Sequence, residues 1–96
     1  MHPLAQTTKT VSGTITDEKG LPLSGATISA LGNNNSVVST AVSDAKGNYS
    51  IRVTDEVKSI RVAFVGLEEK TVALGGKTAV SVQLQSTASS LNEVVV

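Results

Sequence analysis

The chain has 96 residues, eight of them basic and eight acidic, with one histidine, no cysteine and 2% aromatic residues. That length suits one domain around one core and leaves no room for a cleft between two lobes. The formal net charge is zero and the basic residues are scattered singly, which excludes a nucleic-acid groove and a polybasic membrane anchor, because both need clustered cations.

Without cysteine there is no disulfide and no thiolate metal site. No apolar run approaches the roughly 20 residues of a membrane helix, and the strands below are too few and too short for an outer-membrane barrel, which needs at least about 8 strands of about 9–11 residues. The fragment itself is therefore expected not to enter a bilayer. At the start, Met1-His2 reads as an expression remnant, and Pro3-Leu4-Ala5 before Gln6 looks like the end of a signal peptide. Residues 1–7 are expected to be disordered ahead of a piece of a longer exported protein.

In chain order, Thr8 to Thr16 alternates Val11, Gly13 and Ile15 with Ser12, Thr14 and Thr16, which predicts a strand with one face inward. Asp17-Glu18-Lys19-Gly20 stops it, since Asp bonds to backbone amides and Gly accepts positive φ. Pro22 has no amide hydrogen to give to a ladder. Gly25 to Leu31 alternates again, with Ala26, Ile28 and Ala30 inward, small enough for close approach to a facing sheet. Gly32-Asn33-Asn34-Asn35 predicts a turn through left-handed conformations. Ser36 to Ser43 and Tyr49 to Val53 flank Asp44-Ala45-Lys46-Gly47-Asn48, and that arrangement predicts a hairpin with a bulge at Gly47.

Thr54 to Lys58 is a polar connection. Ser59 to Val65 is the most apolar strand, with Ile60, Val62 and Phe64 inward, and Gly66 breaks it. Glu69 to Leu74 predicts a charged edge strand. After Gly75-Gly76, Thr78 to Gln85 predicts the last strand, with Val80, Val82 and Leu84 inward. Seven short strands about ten residues apart, with no helical periodicity, predict an all-β, seven-stranded sandwich over residues 8–85. The composition of Ser86 to Ser90 then reads as a flexible linker.

Candidate chemistry is sparse. The only histidine is His2, so neither a serine–histidine pair nor a histidine metal cluster is available, and neither catalysis nor a cofactor is expected. The two Asp-x-Lys-Gly segments have too few oxygens for calcium and read as Asp-capped turns. Glu68 and Glu69, adjacent on a strand, should point to opposite faces and cannot serve as one acid–base pair. Tyr49 and Phe64 are expected in the core rather than stacking on a ligand.

The segment Leu91-Asn92-Glu93-Val94-Val95-Val96 favours an extended backbone, because three consecutive Cβ-branched valines are stiff and fit a pleated surface. It is either an eighth strand, or the start of a following domain, or an extended peptide that pairs with the sheet edge of another protein. Seven strands already complete a sandwich, which favours the docking strand.

Val11-Ser12-Gly13-Thr14-Ile15-Thr16-Asp17 with Gly20, followed by Pro22 to Ile28, resembles the opening of a carboxypeptidase-regulatory-like domain. Ser43 to Ile51 resembles that family's central hairpin, and Ile60 to Gly66 its following strand. The resemblance implies a transthyretin-like sandwich, related in layout to immunoglobulin domains without their cysteines and tryptophan. Domain, polar linker and Leu91 to Val96 together are similar to the start of SusC-like TonB-dependent transporters. There the domain is an N-terminal extension on the periplasmic side of the outer membrane, ahead of a plug and barrel; this fragment is expected to be a monomer.

The resemblance implies that Leu91, Asn92, Glu93, Val94, Val95 and Val96 form a Ton box, a strand taken up by the C-terminal domain of TonB during nutrient uptake. The other expectations are an accessory module that binds carbohydrate or protein through the sandwich, and a structural spacer.

Overall fold

The computed structural model describes residues 8–86. Within them lie seven strands: β1 (Thr8–Thr16), β2 (Thr27–Leu31), β3 (Val37–Val42), β4 (Asn48–Thr54), β5 (Ser59–Ala63), β6 (Lys70–Ala73) and β7 (Val82–Gln83). They form two sheets, ordered β4-β1-β7 and β3-β2-β5-β6. The protein is an all-β sandwich, as the alternation predicts. Every pairing is antiparallel except β1 with β7.

The core lies between the sheets. Val11, Ile15, Tyr49, Ile51, Val53, Val80, Val82 and Leu84 fill it from one side, and Ala26, Ile28, Ala30, Ile60 and Val62 from the other. These are the apolar members of the alternating runs, and period-two geometry sends them to one face. The alanines at 26 and 30, both fully buried, let the four-stranded sheet approach the larger side chains opposite. The Asn turn forms as a 3-10 turn over Asn33–Asn35, with Asn34 and Asn35 at φ of 59° and 61°.

The two Asp-x-Lys-Gly segments share one set of hydrogen bonds. Asp17 Oδ1 accepts from the amides of Lys19 and Leu21, both at 2.9 Å, and Asp44 Oδ1 accepts from those of Lys46 and Asn48, also at 2.9 Å. In each segment the glycine amide donates back to the Asp carbonyl, at 3.0 and 2.9 Å. The carboxylates thus serve as turn caps.

The expected hairpin at the second of these turns does not form. β3 and β4 belong to different sheets. Ser43 still exchanges backbone bonds with the β2 side (its amide to Ala26 O at 2.9 Å, its carbonyl from Gly25 N at 3.0 Å), whereas Gly47 O already accepts from Ile15 N at 2.7 Å on the β1 side. The turn therefore carries the chain across the sandwich. Gly47 makes the crossing possible: its φ is +79°, and a Cβ there would meet the Ile15 carbonyl oxygen at 2.7 Å and Pro22 Cβ at 2.9 Å. β3 and β4 remain neighbours as the outer strands of their sheets, joined by Ser39 Oγ donating to Arg52 O at 2.8 Å.

Two further expectations are corrected. β5 ends at Ala63, so Phe64 is half-buried, packed against the rim of the core rather than inside it. The last strand, expected over Thr78 to Gln85, is regular only at Val82–Gln83, although Ser12 also bridges Ala79 in the same parallel register. The interruption has a visible cause. Tyr49 donates its hydroxyl hydrogen to Val80 O at 2.6 Å, taking that carbonyl out of the ladder. Thr14 N turns to Ser81 Oγ at 3.3 Å instead. Gly13 stands opposite, and a Cβ there would overlap the Val80 carbonyl oxygen.

Candidate docking site

Leu91 to Val96, the residues the sequence singles out, lie outside the described residues, as do the N-terminal segment 1–7 and residues 87–90 of the expected linker. What the structure does describe is the point at which the sandwich hands the chain over to them. After Val82–Gln83, the chain leaves the β1 sheet and meets the opposite one. Glu68 N donates to Gln85 O at 2.8 Å, and Leu67 and Ser86 form an antiparallel bridge.

The first turn and β6 hold this crossing in place. Gln83 Nε2 donates to the carbonyls of Asp17 and Glu18 at 3.1 and 3.3 Å, and Ser86 N donates to Glu18 Oε1 at 3.0 Å. Lys70 Nζ reaches Gln83 O at 3.4 Å. The base of the segment is thus tied to two loops from different parts of the chain.

Two hollows flank the crossing. The larger, about 430 Å³, lies at the β5–β6 turn over Thr27, Ala63, Phe64, Val65 and Leu67, with Glu69 at its border. Thr27 and Ala63 are partners across β2 and β5, and Thr27 also pairs Val42 of β3. The row Val42-Thr27-Ala63 therefore crosses the outer face of the four-stranded sheet and ends at this hollow. Val65 is 90% exposed and Val42 64%, so the row and the turn form an outward-facing strip that presents two valines to solvent, with the polar Thr27 between Val42 and Ala63. The turn's shape comes from Gly66 at φ +86° and the Leu67 amide bonded to Phe64 O at 3.0 Å.

The smaller hollow, about 150 Å³, is lined by Glu68, Glu69, Lys70 and Gln85. Glu68 and Glu69 both precede β6, so neither lies on the strand for which the opposite-face expectation was made. Among the described residues no cluster of three histidine, cysteine or acidic side chains could hold a metal ion.

Tyr49 is buried as expected, and burial raises its phenol pKa above the ordinary value of 10.0. Its role as donor to Val80 O was not legible, since alternation fixes a face and not a hydroxyl's partner. Ser43 was missed as well. It is 4% exposed, donates to Leu23 O at 2.7 Å and accepts from Ala26 N at 2.9 Å, fixing the loop that leads into β2. The crossing at Gln85–Ser86 carried no sequence signal, because Ser86 opens a stretch of small polar residues that looks alike throughout.

A model of the carboxypeptidase regulatory-like domain family matches residues 10–89. Among curated proteins, TonB-dependent receptor P3 of Formosa agariphila is 36% identical over 89 residues, which are 92% of this chain and 8% of that protein. TonB-dependent receptor P39 of the same organism is 29% identical over 86 residues, 90% of this chain and 8% of the receptor. The chain thus spans about 8% of the length of the curated relatives it matches. Among solved structures, chlorocatechol 1,2-dioxygenase from Pseudomonas putida superposes with a TM-score of 0.58 at 13% identity, covering 84% of this chain and 60% of that one. At that identity the likeness is one of fold alone.

Proposed function

The chain belongs to the carboxypeptidase regulatory-like domain family, and from that premise we propose that it is a non-catalytic extension of a SusC-like TonB-dependent receptor. It stands on the periplasmic side of the outer membrane, ahead of the receptor's plug and barrel. It contributes to energised nutrient uptake by presenting residues 91–96 as the strand that TonB engages. The observation that carries this reading is the 36% identity to a TonB-dependent receptor across 92% of the chain.

The fold supports the division of labour. Among the described residues, the two sheets bury their inner faces against each other. Pairing as an added strand would satisfy the backbone groups of that segment and let alternate side chains choose the partner.

The test is a titration of the 15N-labelled chain with the C-terminal domain of TonB. The expected result is chemical-shift change or broadening confined to residues 91–96 and their flanks. Unchanged signals there at saturating TonB would overturn the assignment.

A further inference from the structure

We infer that the strip at the β5–β6 turn is a docking place for this chain's own residues 91–96, which shelter there until a partner takes them. The inference rests on the reading of residues 91–96 as a partner-binding strand and adds a regulation to it. Three observations carry it.

The first is direction. The antiparallel bridge between Leu67 and Ser86, with Glu68 N bonded to Gln85 O, sets the chain at Ser86 heading toward Gly66 and Val65, the rim of the larger hollow. The second is reach. Leu91 comes five residues after Ser86, and five residues extend at most about 18 Å. Leu67 both bridges Ser86 and lines the hollow, so the tether begins at the site and Leu91 to Val96 are confined to its neighbourhood. Such confinement raises the local concentration of a linked segment to the millimolar range for short tethers.

The third is chemistry. The strip offers the 90%-exposed Val65 together with Ala63 and the half-buried Phe64 and Leu67, and Glu69 also lines it. In an extended segment Asn92, Val94 and Val96 share one side, and Leu91, Glu93 and Val95 the other. Seating the first side covers the strip with two valines and turns Glu93 away from Glu69. The occupant thus matches the strip in polarity and avoids a like-charge contact.

Docking makes TonB compete with the domain. If about nine-tenths of molecules are docked, the apparent affinity for TonB is about tenfold weaker than that of a freely available segment. The absence of cysteine gives a clean probe, because Glu93→Cys provides a single attachment point for a nitroxide label on the side facing away from the strip.

The expected result is strong paramagnetic broadening of the amides of Thr27, Ala63, Phe64 and Leu67. Those of Asn33 to Asn35, at the opposite end of β2, stay sharp. A Val94→Ser, Val96→Ser double variant loses the contrast, and Val65→Ser binds the TonB C-terminal domain several-fold more tightly than the unaltered chain. Even, weak broadening over the whole surface, or broadening centred elsewhere, overturns the inference while leaving TonB binding to stand. Localised broadening with no response to TonB has the reverse meaning: docking holds and the Ton-box reading fails.

Discussion

Replacing Tyr49 by Phe removes one oxygen from the junction where β7 loses its regularity. The ring stays, so the packing of a side chain only 4% exposed is kept. What is lost is the donor to Val80 O, at 2.6 Å, in a residue only 7% exposed. A hydrogen bond contributes about 1 kcal/mol net, and a buried carbonyl left without a donor costs about 1–3 kcal/mol. Thr14 N, the amide that regular parallel pairing would aim at this carbonyl, is already given to Ser81 Oγ at 3.3 Å. The expected loss is therefore about 1–3 kcal/mol, and for a domain of this size each 1 kcal/mol lowers Tm by about 4–8 °C.

Urea unfolding followed by far-UV circular dichroism measures this directly. Tyrosine emission cannot serve, since Tyr49 is the only tyrosine and there is no tryptophan. The midpoint should fall with an unchanged m-value, as for a change in stability without a change in exposed surface. A variant equal to the parent within about 0.3 kcal/mol, well below the quoted cost, would refute the assignment of Val80 O to this single donor.

The same residue predicts a pH effect. Burial raises the folded-state pKa of Tyr49 above its ordinary value of 10.0, so between the unfolded and folded values the unfolded state has lost a proton that the native state keeps. The contribution is full below pH 10.0 and declines as pH rises toward the folded pKa; Tyr49→Phe should lack that component of alkaline destabilisation, seen as a smaller fall in urea midpoint above pH 10.0 than the parent shows. Gly13→Ala should cost about 3 kcal/mol or prevent folding, because its Cβ would overlap the Val80 carbonyl oxygen, and overpacking of backbone has no flexible end to yield; thermal melts would show it. Ser43→Ala should lose about 1–3 kcal/mol by stranding Leu23 O and Ala26 N, while Val65→Ser, at a 90%-exposed position, should stay within about 0.5 kcal/mol. Asp44→Ala should cost about 1 kcal/mol in denaturant unfolding, since two amide hydrogens lose their shared acceptor in a solvated turn.

Strand positions and their inward faces were legible because alternation is local: Val11 and Ile15, Ala26 to Ala30, and Tyr49 to Val53 each announce a buried face. The sheet each strand joins was not. Asp44 to Asn48 has the local chemistry of a hairpin turn, and it closes as one, yet Ser43 bonds to β2 and Gly47 to β1. Only the distant partners decide, and these are invisible in a five-residue window. Asp17 to Leu21 repeats the same bonds with the opposite outcome, folding the chain back on β1, where Thr16 bridges Pro22 and Leu23 N donates to Ile15 O at 2.9 Å. For the site, composition pointed to residues 91–96. The hollow beside Ser86 could not be read, because it is assembled from Thr27, Ala63 and Leu67, which sequence keeps up to 40 positions apart.

The parallel pairing of β1 with the strand near the other end of the described chain has a mechanical meaning. Ser12 N to Thr78 O, Val80 N to Ser12 O and Leu84 N to Thr16 O all lie across the line joining Thr8 to Ser86. Tension applied at Ser86 and opposed at Thr8 slides the two segments past each other and loads these bonds together instead of unzipping them one after another. A sandwich wired in this way resists being drawn out by tension between the two ends of the described chain.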